Sequence, residues 1–183
     1  MWWIVSAVSL IVVAAGVVVY NGLVRLRNQV RTAWSDIDVQ LLRRHDLVPM
    51  LVDTVKAYSA HERVLLENVT ALRAQALETR SPARLAGLET QLEQSLSRLF
   101  ALQETYPELK ASENFSQLQR DLVEVEKHLQ YARRFYNGAV RDLNDGIQRF
   151  PGVLLAGAAG FRDAEFFTAD AGARVAPTLA MMP

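Results

Sequence analysis

The run from Trp2 to Tyr20, WWIVSAVSLIVVAAGVVVY, holds no charged residue. At ~1.5 Å of helical rise per residue it spans ~28 Å, about the hydrocarbon thickness of a bilayer. Trp2 and Trp3 at one end and Tyr20 at the other stand where amphipathic rings favour the two interfaces. The run is apolar all round, which argues against a one-faced core helix. A cleaved signal peptide is the competing reading, and Ala14, Ala15 and Gly16 could mimic its cleavage site. Such a peptide carries a basic leader and a shorter apolar core, and no Lys or Arg precedes this run. The expectation is therefore a retained transmembrane anchor over residues 1–20, in contact with the lipid bilayer.

Arg25, Arg27 and Arg31 follow the run closely. Basic residues near a span favour the cytoplasmic side. The expected topology is single-pass in the cell (inner) membrane, with a short exported N-terminus and a cytoplasmic C-terminal domain.

Beyond Tyr20 the chain carries twenty basic and twenty acidic residues, in balance. No basic patch marks a nucleic-acid surface, so no nucleic-acid partner is expected. Absent cysteines remove disulfide and thiolate chemistry. With few Gly or Pro before residue 138, an all-α fold is predicted: an N-terminal transmembrane helix continuing into an antiparallel bundle of about four long helices.

The predicted helices cover residues 21–58, 60–79, 82–105 and 113–149. In the first, Val30, Trp34, Ile37, Leu41, Val48, Leu51, Val55 and Tyr58 recur at steps of three and four, the period of one helix face. Only Arg44 breaks this seam. Pro49 removes a backbone donor and crowds the carbonyl of His45, but the seam keeps its phase, which favours one kinked helix over two. Ser59-Ala60-His61-Glu62 fits a capping box opening the second helix, with Leu65, Val69, Leu72 and Ala76 as its stripe. Ser81-Pro82 reads as an N-cap with proline at N1, opening a helix striped by Leu85, Leu88, Leu92, Leu96 and Leu99. Tyr106-Pro107 closes it. From Ser112 the seam of the fourth runs Phe115, Leu118, Leu122, Val125, Leu129, Ala132, Tyr136, Ala139, Leu143, Gly146, Phe150. Glu126 lies off this stripe, and replacing it with Ala is expected to matter little. Residues 151–167 form an apolar segment expected to pack on the bundle or at the membrane interface. Residues 168–183 are expected to be a disordered tail.

The stretch from Tyr20-Asn21-Gly22-Leu23-Val24 through AWSDIDVQL, RRHDLVP and LVDTVKAY, with ARRFYNGAVRDLNDGIQRFPG and GFRDAEFF further on, resembles the LemA family of bacterial membrane proteins. The resemblance covers most of residues 20–167. It implies one N-terminal membrane helix, a small exported terminus and a domain of long packed helices. It implies no activity. Met50 and Ala57 depart from the residues common in the family, Asn and Gly, and the second change bears on how the chain turns after the first helix.

Chemistry-bearing patterns are sparse. His45, His61 and His128 are the only imidazoles. His61-Glu62 begins like a zinc-protease motif without its second His. Glu124 and His128 share a face at i,i+4, without the matching carboxylates of a di-iron bundle. No phosphate loop or nucleophile elbow is present. No catalytic, cofactor or metal residues are therefore assigned, and an enzyme would need a buried polar cluster that the apolar seams leave no room for. A possible partner-docking surface is Asp36, Arg43, Arg44 and Asp46, flanked by Asp38 and Asp53, against the alternative of a solvated face. Arg44 either pairs with Glu124 or Glu126 or extends outward. Arg133-Arg134-Phe135-Tyr136-Asn137 is a second candidate patch. The reading is a membrane-anchored interaction or scaffold protein, not an enzyme, with an unknown membrane or cytoplasmic protein partner or a homo-oligomer. The alternative is a ligand or envelope-stress sensor using an interhelical groove, favoured if a groove mixes apolar and charged lining. Cofactors: none are implied.

Val12→Arg places a charge near mid-bilayer at a cost of ~2.5–3.5 kcal/mol on insertion scales. The expected outcome is a lower membrane-bound fraction on flotation of the full chain.

Overall fold

The computed structural model describes residues 1–59 and 61–168; the tail expected to be disordered lies outside the described residues from 169 on. Every regular element among them is helical. Helix α1 (Trp2–Tyr58) runs unbroken through Pro49, which faces solvent. Its apolar first part is exposed, and its buried positions begin at Leu23. Helix α2 (Arg63–Glu78) and α3 (Pro82–Ala101) form a hairpin. A 3-10 turn (Leu102–Glu104) and a short α4 (Pro107–Lys110), whose Leu109 plugs the far end, lead to α5 (Glu113–Gln148). A last short helix, α6 (Gly152–Ala156), returns to the base of α1.

The long pair α1 and α5 is the spine. Three contacts fix its antiparallel sense. Leu23 and Leu26 face Gly146, Trp34 meets Tyr136 edge-on at 5.3 Å between ring centroids, and Arg44 reaches Glu126. The core joins Ile37, Leu41, Val48, Leu51 and Val55 of α1 with Val69 and Leu72 of α2, Leu92 and Leu99 of α3, and Phe115, Leu122, Val125 and Leu129 of α5. Ser81 and Ser112 cap α3 and α5, each accepting from the backbone N–H three residues on.

Three local expectations change. Ser59 ends α1 instead of opening α2: its hydroxyl and its N–H both donate to the Val55 carbonyl, and α2 starts at Arg63. Glu62 accepts from the Tyr106 hydroxyl at 3.3 Å rather than folding back on Ser59. Tyr58 and Phe150, at the two seam ends, are exposed, because the period runs on past the last residue that has a helix opposite it.

The segment after α5 is tied down on one side. A Cβ on Gly152 would stand 2.0 Å from the Gly146 carbonyl oxygen, so only glycine lets α6 fold back so closely. Ala156 and Phe161 bury against Leu23. Asn137 and Asn144 of α5 then hold residues 161–168 as a strap. The Asn144 amide bonds the backbone N–H and C=O of Ala164 at 2.8 and 3.1 Å, and Asn137 does the same for Phe167. Phe167 lands beside Trp34, with the Arg133 guanidinium 5.3 Å from its ring centre.

Truncating a buried Leu to Ala typically costs ~2–5 kcal/mol. Leu122→Ala with Leu129→Ala is expected to lower the melting temperature of the chain steeply. Val123→Ala, on the exposed face between them, should leave it almost unchanged.

Candidate functional site

Arg44 occupies a seam position on α1, in phase with Leu41 and Val48, and is 2% exposed. A guanidinium there cannot be left bare, since an unpaired buried charge costs several kcal/mol. Two helices supply the counter-charges. Glu89 of α3, fully buried, accepts from Arg44 at 3.0 Å through one carboxylate oxygen and lies 2.8 Å from His45 Nε2 through the other. Glu126 of α5 takes a second Arg44 nitrogen, and Arg133, two turns along the same helix, stands 3.6 Å from its other oxygen. Two guanidinium groups thus alternate with two carboxylates in a chain of contacts that ends on the His45 imidazole.

Burial pushes the Glu89 carboxyl upward, but the His45 hydrogen bond and the Arg44 charge outweigh it and hold its pKa below the ordinary value. The backbone is drawn in as well. Pro49 leaves the His45 carbonyl without its helical donor, and Arg73 of α2 supplies one through Nε at 2.6 Å. The cluster therefore ties α1 to α2, α3 and α5 at one level.

The interior polar cluster that the apolar seams were read to exclude is present. Glu126, expected to be a bystander, is one of its members. Arg44 pairs with Glu126 as one of the alternatives foresaw, and so is withdrawn from any docking surface. Asp36, Arg43 and Asp46 are exposed. Their spacing of seven and three places them on one face of α1, together with Val39. That face continues onto α5: Arg43 is 3.9 Å from Glu124, which is 3.6 Å from His128. Beyond His128 come Tyr131 and Phe135, and a shallow groove of 350 Å³ runs between Asp36, Val39 and Gln40 on one side and these residues on the other. Val39, Tyr131 and Phe135 are 60%, 59% and 51% exposed. The second candidate patch divides: Arg134 and Phe135 face outward, Tyr136 is buried, Asn137 holds the strap, and Arg133 serves the ion cluster.

His61 is exposed at the turn before α2. Among the described residues no group of three or more His, Asp or Glu is placed to hold a metal ion. His45 borders a groove of 330 Å³ with Trp34, Asp38, Arg80 and Leu85. A larger groove of 660 Å³ lies between α1 and α2, lined by Val52, Leu66, Ala71 and Ala74 and by Lys56, Arg63 and Glu67.

Glu89 was legible and missed. The stripe Leu85, Glu89, Leu92, Leu96, Leu99 alternates steps of four and three without a break, which puts Glu89 in phase just as Arg44 is in phase on α1. Two opposite charges, each interrupting an apolar seam, are the signal for an interior pair.

The LemA family profile matches residues 33–180, from α1 inside the bundle to beyond the strap. The chain belongs to the LemA family. Within it, two curated relatives are magnetosome proteins MamQ 1 and MamQ 2 of Paramagnetospirillum magneticum. Each is 24% identical over 191 residues, covering 90% of this chain and 70% of the relative. The magnetosome protein MamQ of Magnetospirillum gryphiswaldense is 21% identical over 174 residues, covering 81% of this chain and 64% of the relative. This LemA chain is thus a membrane-associated helical protein with one candidate transmembrane helix among its described residues.

Removing one partner of a buried ion pair costs ~3–5 kcal/mol. Glu89→Gln is expected to destabilise this LemA domain on that scale at neutral pH. The sign with pH follows from the lowered carboxyl pKa. The contribution of Glu89 is complete above the pKa it has in the unfolded chain and is lost as pH falls through its lower folded value. Urea midpoints measured from neutral to acid pH should therefore fall further for the parent than for Glu89→Gln, and the two curves should converge in acid.

Proposed function

We propose that this LemA protein is a membrane-anchored scaffold, not an enzyme, that binds a protein partner through the α1–α5 face of its bundle. The observation that carries the reading is the exposure of Val39, Tyr131 and Phe135 side by side between Asp36 and Arg43 on α1 and Glu124 and His128 on α5. Large apolar and aromatic side chains held in a rigid surface and rimmed by charge are the ordinary make-up of a binding hot spot. Asp46 extends the charged rim. The partner is a membrane or cytoplasmic protein, or a second copy of the chain. Arg25, Arg27 and Arg31 support an exported N-terminus and a cytoplasmic bundle in the inner membrane. Relatives that are named as magnetosome proteins support a role in a larger assembly rather than in a reaction.

The groove between α1 and α2 favours a second reading, a ligand or envelope-stress sensor, because its lining mixes apolar and charged residues. Its polar groups other than Lys56 are already engaged. Ser59 and Thr70 donate to carbonyls of their own helices, and Arg63 pairs with Glu67 at 3.3 Å. Such a lining offers little to orient a small polar ligand, so the scaffold reading stands first.

The chain has no native cysteine, so single cysteines carry a photo-crosslinker cleanly. Val39→Cys is expected to give a discrete adduct in native membranes that disappears when Phe135→Asp is added. Adducts from Ala74→Cys in the α1–α2 groove, with none from Val39→Cys, would move the function to the groove. For topology, a cysteine appended after Pro183 should resist impermeant thiol reagents in intact cells and react after lysis. Labelling of intact cells reverses the orientation.

A further inference from the structure

Helix α6 has one side committed to the bundle and one side bare. Gly152 and Ala156 are buried, and Ala156 joins Leu23 and Phe161 in a small cluster beneath the main core. Outward, Phe150, Val153 and Leu154 are 75%, 52% and 69% exposed. No charged residue lies between Arg149 and Arg162. Three large apolar side chains on an uncharged stretch are an unfavourable surface to leave in water.

Their height on the molecule is fixed by aromatic contacts. Phe161 meets the Tyr20 ring edge-on at 5.9 Å and lies under the Arg27 guanidinium at 4.9 Å. Tyr20 is the last residue of the apolar run, and Leu23, on which Ala156 packs, is ~4.5 Å further along the helix axis. The bare side of α6 therefore begins where the candidate span leaves the hydrocarbon. Arg25, Arg149 and Arg162, all exposed, flank this level with groups suited to lipid phosphates, Arg149 also standing 4.0 Å from Asp145.

We infer that Phe150, Val153 and Leu154 insert into the interfacial layer of the same bilayer that the span crosses, giving the protein a second membrane contact that lies on the surface without crossing it. The inference rests on the membrane-anchored reading. A lipid surface is the occupant because the patch is continuous with the span, and because an apolar face bordered by arginines is the make-up of an interfacial segment. Gly152 against Gly146, and Ala156 against Leu23, hold the opposite side of α6 to the bundle and leave that face outward.

The test uses the full chain in phosphatidylethanolamine–phosphatidylglycerol vesicles carrying a nitroxide-labelled lipid. Val12→Cys, Leu154→Cys and Val123→Cys are each coupled to an environment-sensitive fluorophore; Val123 is exposed on α5, far from α6. The expected result is severalfold greater quenching at positions 12 and 154 than at 123. Quenching at 12 with position 154 behaving like 123 overturns the interfacial contact and leaves the anchor standing. Absence of quenching at both overturns the anchor and the contact together. A label at 154 that is shielded from water but unquenched, with shielding that grows with protein concentration, assigns the face to a second copy of the chain and overturns the inference. Val153→Cys serves as the second variant, and circular dichroism confirms that each labelled chain remains helical.

Discussion

A guanidinium buried in an apolar seam dictates much of this bundle. Arg44 lies too deep for water to solvate it, so counter-charges must come from neighbouring helices at the same level. Glu89 from α3 and Glu126 from α5 meet that demand, and each is held by a further partner, His45 or Arg133. An apolar seam alone tolerates a slide of one turn, because Leu packs against Leu in either register. A pair of opposite charges does not, since a slide would bury both unpaired. The cluster thus penalises other alignments, whatever the burial of its ions adds to net stability.

Backbone accounting explains two other attachments. A proline within a helix leaves one carbonyl without a donor, and at His45 that carbonyl becomes an acceptor for Arg73 of α2. The one missing hydrogen bond of α1 therefore also marks the point where the hairpin is fastened to it. At the other end, residues 161–168 follow α6 without regular secondary structure and carry backbone groups that need partners. Asn137 and Asn144 present amide side chains that match a peptide's donor and acceptor pair, so a helix face does the work of a neighbouring strand.

The parts of the fold that follow a period were open to reading in the sequence. The long seams, the uncharged run and the Ser81 and Ser112 caps need only local spacing, and the structure has them. Ser59 misleads because Glu62 stands at the capping-box distance, while the hydroxyl has a nearer acceptor in Val55. Period alone cannot say where a partner helix stops, which is why Tyr58 and Phe150 belong to their seams and still face solvent. The ion cluster was half legible. Arg44 stood out against its seam, but Glu89 was passed over because Leu88 next to it completes a plausible stripe. Which exposed charges of α1 share a face with Tyr131 and Phe135 depends on how α5 lies against it, and only the packed pair reveals that.

The absence of a joint between the apolar run and the bundle makes α1 a lever arm. From residue 21 to 58 it extends ~57 Å, and this part packs against α5. A span answers a change in bilayer thickness chiefly by leaning. With no hinge to absorb the motion, a lean of ~10° carries the far tip of the bundle ~10 Å sideways. The reach of everything displayed on the bundle is then set partly by the lipid around its root.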